Sequence, residues 1–101
     1  MWAQLSEFRI KDGTADELPK VLEHLRSFEQ PDSGLIRTVA MLDQNDPTRL
    51  ILLVVFESEE KARARESDPR RQEGLAALQS MMGAMLAGPP SFTDLTVIAD
   101  S

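Results

Sequence analysis

His24 is the chain's one histidine, and imidazole is the side-chain type that changes charge near neutral pH. It flanks a helically spaced stripe of Val21, Leu25 and Phe28, which places it at the rim of a pocket between helix and sheet as the candidate catalytic base or hydrogen-bond partner. The plainer alternative is a half-exposed helix-edge histidine beside a carboxylate. Thr38 and Ala40 are small residues on a strand face that otherwise carries Ile36, Leu42, Leu52, Val54 and Phe56. Small groups there leave room for an apolar ligand walled by Phe8, Phe28, Phe56, Met82 and Met85, unless helix residues fill the space as ordinary core. Arg37 interrupts an apolar strand face, and an unpaired buried guanidinium is costly. With a turn centred on residues 44–48 it pairs near Val55, diagonal to Glu57, so an ion pair in or beside a subunit interface is expected, with a bound anion as the sharper alternative.

Lys61, Arg63, Arg65, Arg70 and Arg71 form a basic cluster in a chain of net charge -6. Glu59 to Arg63 and Glu66 to Arg70 stand four residues apart in the favourable order, as expected of a solvated, salt-bridged helix. No glycine-rich cradle or aromatic interleaving accompanies it. The acidic balance repels phosphate backbones and anionic membranes, so neither nucleic acid nor membrane is an expected partner. Without cysteine there is no disulfide, thiolate chemistry or cysteine-ligated metal, and one histidine is too little for a typical zinc or iron site. No dinucleotide fingerprint, P-loop or nucleophile elbow is present, and no cofactor or metal is expected.

These residues must be positioned by a single domain, residues 1–101. No apolar run approaches the roughly 18 residues of a membrane span, and the amino terminus lacks a signal-peptide plan, which makes the cytoplasm the default location. Residues 2–10 read as a strand. Thr14 and Glu17 have capping-box spacing ahead of a helix bearing Leu18, Val21, Leu22, Leu25 and Phe28. Residues 34–57 form a hairpin about an Asn/Asp/Pro break, apolar on both faces. Ser58 caps a short helix to about residue 67, and Asp68-Pro69 opens a second piece carrying Leu75, Leu78, Met82, Met85 and Leu86 up to Gly88-Pro89-Pro90. Residues 92–99 read as the last strand.

The resulting β-α-β-β-α-β order predicts an α+β, ferredoxin-like fold: a four-stranded antiparallel sheet with both helices on one face. The other face would be left bare with Leu35, Arg37, Val39, Met41, Ile51, Leu53 and Val55 upon it. Such a patch exceeds what monomers ordinarily expose, so a homodimer through this face is expected.

Trp2-Ala3 opening the first strand, the run 50–55 leading into Phe56-Glu57-Ser58-Glu59-Glu60-Lys61-Ala62, and the broken second helix resemble the antibiotic biosynthesis monooxygenase-like family of dimeric α+β barrels. Family members often carry Trp-x-Ser-x-Glu-x-Ala where this chain has Phe56, Ser58, Glu60 and Ala62. The resemblance implies a dimeric barrel holding a small hydrophobic or aromatic molecule between sheet and helices, with cofactor-independent monooxygenation as its chemistry. A non-catalytic binding, sensing or structural barrel is the alternative. Haem-degrading relatives use a first-strand Asn and a histidine on the last helix. Here the first strand offers Ser6 and Glu7, and residues 69–85 contain no histidine. Cofactor-free oxygenases of the family use Asn, Trp and Tyr groups, whereas this chain has no Tyr and only Trp2.

Overall fold

A computed structural model describes residues 1–100; Ser101, the last residue of the expected domain, lies outside the described residues. Strands β1 (Trp2–Arg9), β2 (Leu35–Asp43), β3 (Asp46–Phe56) and β4 (Ser91–Thr96) alternate with helices α1 (Leu18–Ser27), α2 (Glu59–Glu66) and α3 (Gln72–Met85). The sheet order is β2-β3-β1-β4, every neighbouring pair antiparallel. Each of the two crossovers therefore skips one strand, which makes the protein an α+β ferredoxin-like fold.

Register assigns the faces. Trp2, Gln4, Ser6 and Phe8 of β1 pair with Phe56, Val54, Leu52 and Leu50 of β3, which in turn oppose Thr38, Ala40 and Leu42 of β2 across the hairpin. Two buried clusters fasten the helices to this face: Ile10, Leu18, Val21, Leu50 and Met85 at one end, and Trp2, Phe56 and Ala62 at the other. The opposite face carries Ala3, Leu5, Arg37, Val39, Met41, Ile51, Leu53 and Val55; it is less bare than expected, because Ala3 and Val55 are buried and residues 95–100 share a pocket with Ala3, Arg37, Leu53 and Val55. No helix among the described residues is long and apolar enough to cross a membrane.

Several local expectations are corrected. A register shift between Leu35 and Arg37 turns Leu35 toward the helices, where it packs on the Trp2–Phe56 cluster, and leaves Ile36 47% exposed. A β-bulge offsets the alternation by one residue, so Leu35 leaves the set expected on the bare face. Thr14 makes no capping box: its backbone is αR, and its hydroxyl donates to the Lys11 carbonyl at 2.6 Å. A 3₁₀ turn at Ala15–Glu17 precedes α1 instead, with Pro19 in the first turn of α1, where its missing N–H has no helical partner to lose. Glu66 pairs with Arg63, because the break at Asp68-Pro69 turns Arg70 away to Asp68 and Asp32. The last strand stops at Thr96, three residues short of Ala99.

Helices α1 and α3 approach closely at Gly74, where a Cβ would lie 2.3 Å from Cγ of Phe28. Gly83, nearer the end of α3, faces open space. Urea unfolding should therefore give opposite signs within one helix. Gly74→Ala is expected to destabilise by about 1–3 kcal/mol through overpacking, and Gly83→Ala to stabilise by about 0.5–1 kcal/mol through helix propensity.

Candidate functional site

Between the two packed clusters the helix–sheet interface is hollow. Thr38 and Ala40 on β2 present little volume toward α1, and Leu22, Leu25 and Arg26 of α1, with Glu29 just beyond its end, face them across a cavity of about 360 Å³. Leu35 and Val39 complete this outer chamber. Leu22, Leu25 and Ala40 also line an inner chamber of about 140 Å³, closed by Phe8, Leu18, Val21, Leu50, Leu52, Leu78 and Met82. Leu22, Leu25 and Ala40 are common to both walls, the inner chamber being apolar and the outer one bearing Arg26, Glu29 and Thr38. Together they fall in the size range of small-molecule sites.

The expected lining thus divides. Phe8, Thr38, Ala40 and Met82 stand around the cavity. Phe28, Phe56 and Met85 do not. Phe28 is held over Gly74 between the His24 ring, 5.3 Å away, and the Arg71 guanidinium, 5.0 Å from its centroid. Phe56 is 4% exposed and packs against Trp2 at 6.0 Å, and Met85 belongs to the core cluster around Ile10.

His24 lines neither chamber. Its Nε2 lies 3.0 Å from the Gly74 carbonyl, and since a carbonyl only accepts, Nε2 carries the proton and ties α1 to α3. The lone pair of the neutral ring is then on Nδ1. Arg37 and Glu57 do not pair: Glu57 binds Lys61 one turn along, and Arg37 lies exposed on the bare sheet face without a hydrogen-bond or ion-pair partner among the described residues. The register places Arg37 opposite Val55, as the hairpin turn requires.

Arg26 and Glu29 at the mouth were not anticipated, although a signal exists: Leu22, Leu25, Arg26 and Glu29 fall at i, i+3, i+4 and i+7, continuing the apolar stripe of α1 into two charged residues. Glu29 is held by Arg65 of α2 through three contacts of 2.6–3.1 Å. Burial pushes the Glu29 carboxyl up, but the Arg65 and Ser33 hydrogen bonds and the Arg65 and Arg71 charges outweigh it, leaving its pKa below the ordinary value. Arg65 also lies over the Phe56 ring at 5.2 Å. Behind this pair Arg71 is 3% exposed, with no hydrogen bond to its Nε. Burial, then repulsion from Arg65, lowers its pKa.

The basic cluster is thus largely structural. Arg63 bridges Glu59, Glu66 and Asp94, and Arg70 holds Asp32 and Asp68, leaving Arg71 as the member of the cluster without an ion pair. No group of three or more potential metal-ligating side chains converges among the described residues.

An α+β sheet-and-helix sandwich hollowed beside its outer strands defines the class of protein, and comparison of the sequence supplies the family. The family profile described as antibiotic biosynthesis monooxygenase matches residues 1–77, and the chain belongs to that family. Solved structures agree in fold. A Caulobacter crescentus protein named as a candidate antibiotic biosynthesis monooxygenase superimposes with a TM-score of 0.78 at 15% identity, over 97% of this chain and 90% of that one. A point mutant of SnoaB, a cofactor-independent oxygenase from Streptomyces nogalater, gives 0.75 at 13% identity over 98% and 94%. A Mycobacterium tuberculosis protein gives 0.72 at 15% identity over 99% and 97%. No curated protein matches the sequence.

Proposed function

We propose that residues 1–101 form one domain that binds a small hydrophobic or aromatic molecule between α1 and the β2–β3 half of the sheet. The two-chamber cavity supports this reading, because an ordinary core would fill the space left by Thr38 and Ala40. Its inner chamber has no titratable side chain, so recognition there is by shape and desolvation. Calorimetric titration with 2-naphthol should detect binding, and Ala40→Phe, at the junction of the chambers, should weaken it about tenfold or more. Binding indifferent to that substitution would place the ligand elsewhere.

The working unit in this proposal is a homodimer joined through this sheet face by Arg37, Val39, Met41, Ile51 and Leu53, Val55 being buried within its own chain. On this face Met41 of β2 is 41% exposed and Leu95 of the edge strand β4 is 37% exposed, whereas Ala3 and Val55 between them are buried within the chain. A carboxylate from the second copy would supply the ion pair that Arg37 lacks in its own chain. Sedimentation at micromolar concentration should give twice the protomer mass, and Met41→Asp should give the protomer mass. A native monomer would sink the dimer.

Cofactor-independent monooxygenation is the second reading, favoured by membership of the family and by the fold shared with SnoaB. A chamber without polar side chains would keep water from a bound phenolic substrate while admitting oxygen. His24 lines neither chamber, so it is the candidate base only for a substrate that reaches beyond the chamber wall to the ring nitrogen not turned to the Gly74 carbonyl. Oxygen uptake with an anthraquinol substrate should then fall in His24→Ala; uptake unchanged by that substitution removes His24 from the mechanism, and no uptake in the native protein leaves the binding role alone.

A further inference from the structure

The mouth of the cavity contains a cation that the protein does not use. Arg9, Arg49, Arg63, Arg65 and Arg70 each hold at least one carboxylate, as expected where acidic residues outnumber basic ones. Arg26 has no side-chain hydrogen bond or ion pair among the described residues, although it lines the outer chamber beside Glu29. Glu29 accepts three contacts from Arg65 and none from Arg26. Across the chamber on β2, Thr38 likewise has no side-chain partner among the described residues. Two donors on opposite walls thus stand at the opening of an apolar chamber.

Around this opening positive charge exceeds negative. Arg65 and the buried Arg71 act on Glu29, which shares the chamber wall with Arg26, while the Asp68 near Arg71 is taken by Arg70. A cationic ligand would meet that excess with no free carboxylate to receive it. A neutral one would leave Arg26 and Thr38 as they are. The opening also adjoins the carboxyl-terminal half of α1, whose macrodipole disfavours any anion and a dianion about twice as much as a single carboxylate, so the Arg26 guanidinium has to outweigh it.

We propose that the molecule bound in this cavity is an apolar carboxylic acid, its hydrocarbon body in the inner chamber and its carboxylate at the mouth between the Arg26 guanidinium and the Thr38 hydroxyl. This rests on the binding role proposed above and specifies the ligand's chemistry. A guanidinium offers two parallel N–H donors that match the two carboxylate oxygens, and the Thr38 hydroxyl supplies a third donor. The apolar walls supply affinity without orientation, so the charged end decides which way the ligand enters.

Matched pairs test it: 2-naphthoate against 2-naphthol, and octanoate against 1-octanol, titrated calorimetrically into the native protein at neutral pH. In at least one pair the acid should bind about tenfold more tightly than the alcohol, with a preference that shrinks as salt is raised. Arg26→Gln should abolish that preference, and Arg26→Lys should retain part of it. Because Arg26 is exposed and unpaired, the thermal unfolding of both variants should match the native protein. Equal affinities within both pairs, or a preference that survives Arg26→Gln, overturn the carboxylate while leaving the cavity as a binding site. If no acid and no alcohol binds, both the carboxylate and the binding role fall.

Discussion

Strand β3 is hydrogen-bonded along both edges and apolar on both faces, and the other elements are arranged about that double demand. On one edge it pairs with β1 through eight residues, from Trp2 opposite Phe56 to Arg9 opposite Arg49, and on the other with its hairpin partner β2. A central strand of this kind has to be covered above and below. The helices cover one face and leave Ile51, Leu53 and Val55 on the other. The hydrophobic effect therefore fixes the layer order and gives the molecule an outer face as well as an inner one.

The helical layer is fastened at its ends rather than uniformly. Cluster packing around Ile10 and around Trp2–Phe56, the His24–Gly74 hydrogen bond and the Glu29–Arg65 ion pair hold α1, α2 and α3 to each other and to the sheet. Between these fastenings α1 can span the small residues Thr38 and Ala40 without collapsing onto them. Arginine stacking contributes to the same frame: Arg63, Arg65 and Arg71 lie over Trp2, Phe56 and Phe28 at 5.0, 5.2 and 5.0 Å. A guanidinium can cover an aromatic face and still serve a carboxylate at its edge, which lets charged residues close an apolar core.

The cavity was only partly legible beforehand, for identifiable reasons. Small side chains on an apolar strand face pointed correctly to Thr38 and Ala40, because strand alternation is strictly local. Phe28 and Phe56 have the residue type of a pocket wall, yet each is taken up by a packing partner distant in sequence, Gly74 for one and Trp2 for the other. Arg26 belongs by its residue type with the solvated face of α1, away from the stripe, and Glu29 lies just beyond the helix end; packing of α1 over β2 brings both to the cavity mouth. The bulge at Leu35 has no sequence mark: neither glycine nor proline occupies Leu35, Ile36 or Arg37, and the extra residue is placed by the competition of both flanks for register.

Strand and helix order, the antiparallel hairpin, the Ser58 and Asp68 caps and the two-faced apolarity of β3 were determined by sequence alone, because each depends on periodicity or on a hydrogen bond between near neighbours. Tertiary structure decided what the functional residues do. Whether His24 turns to the cavity or to the Gly74 carbonyl, whether Arg37 meets Glu57, and which arginines are left without a carboxylate all depend on distances between elements tens of residues apart. Those distances are set by how whole faces pack, and no spacing along the chain encodes them.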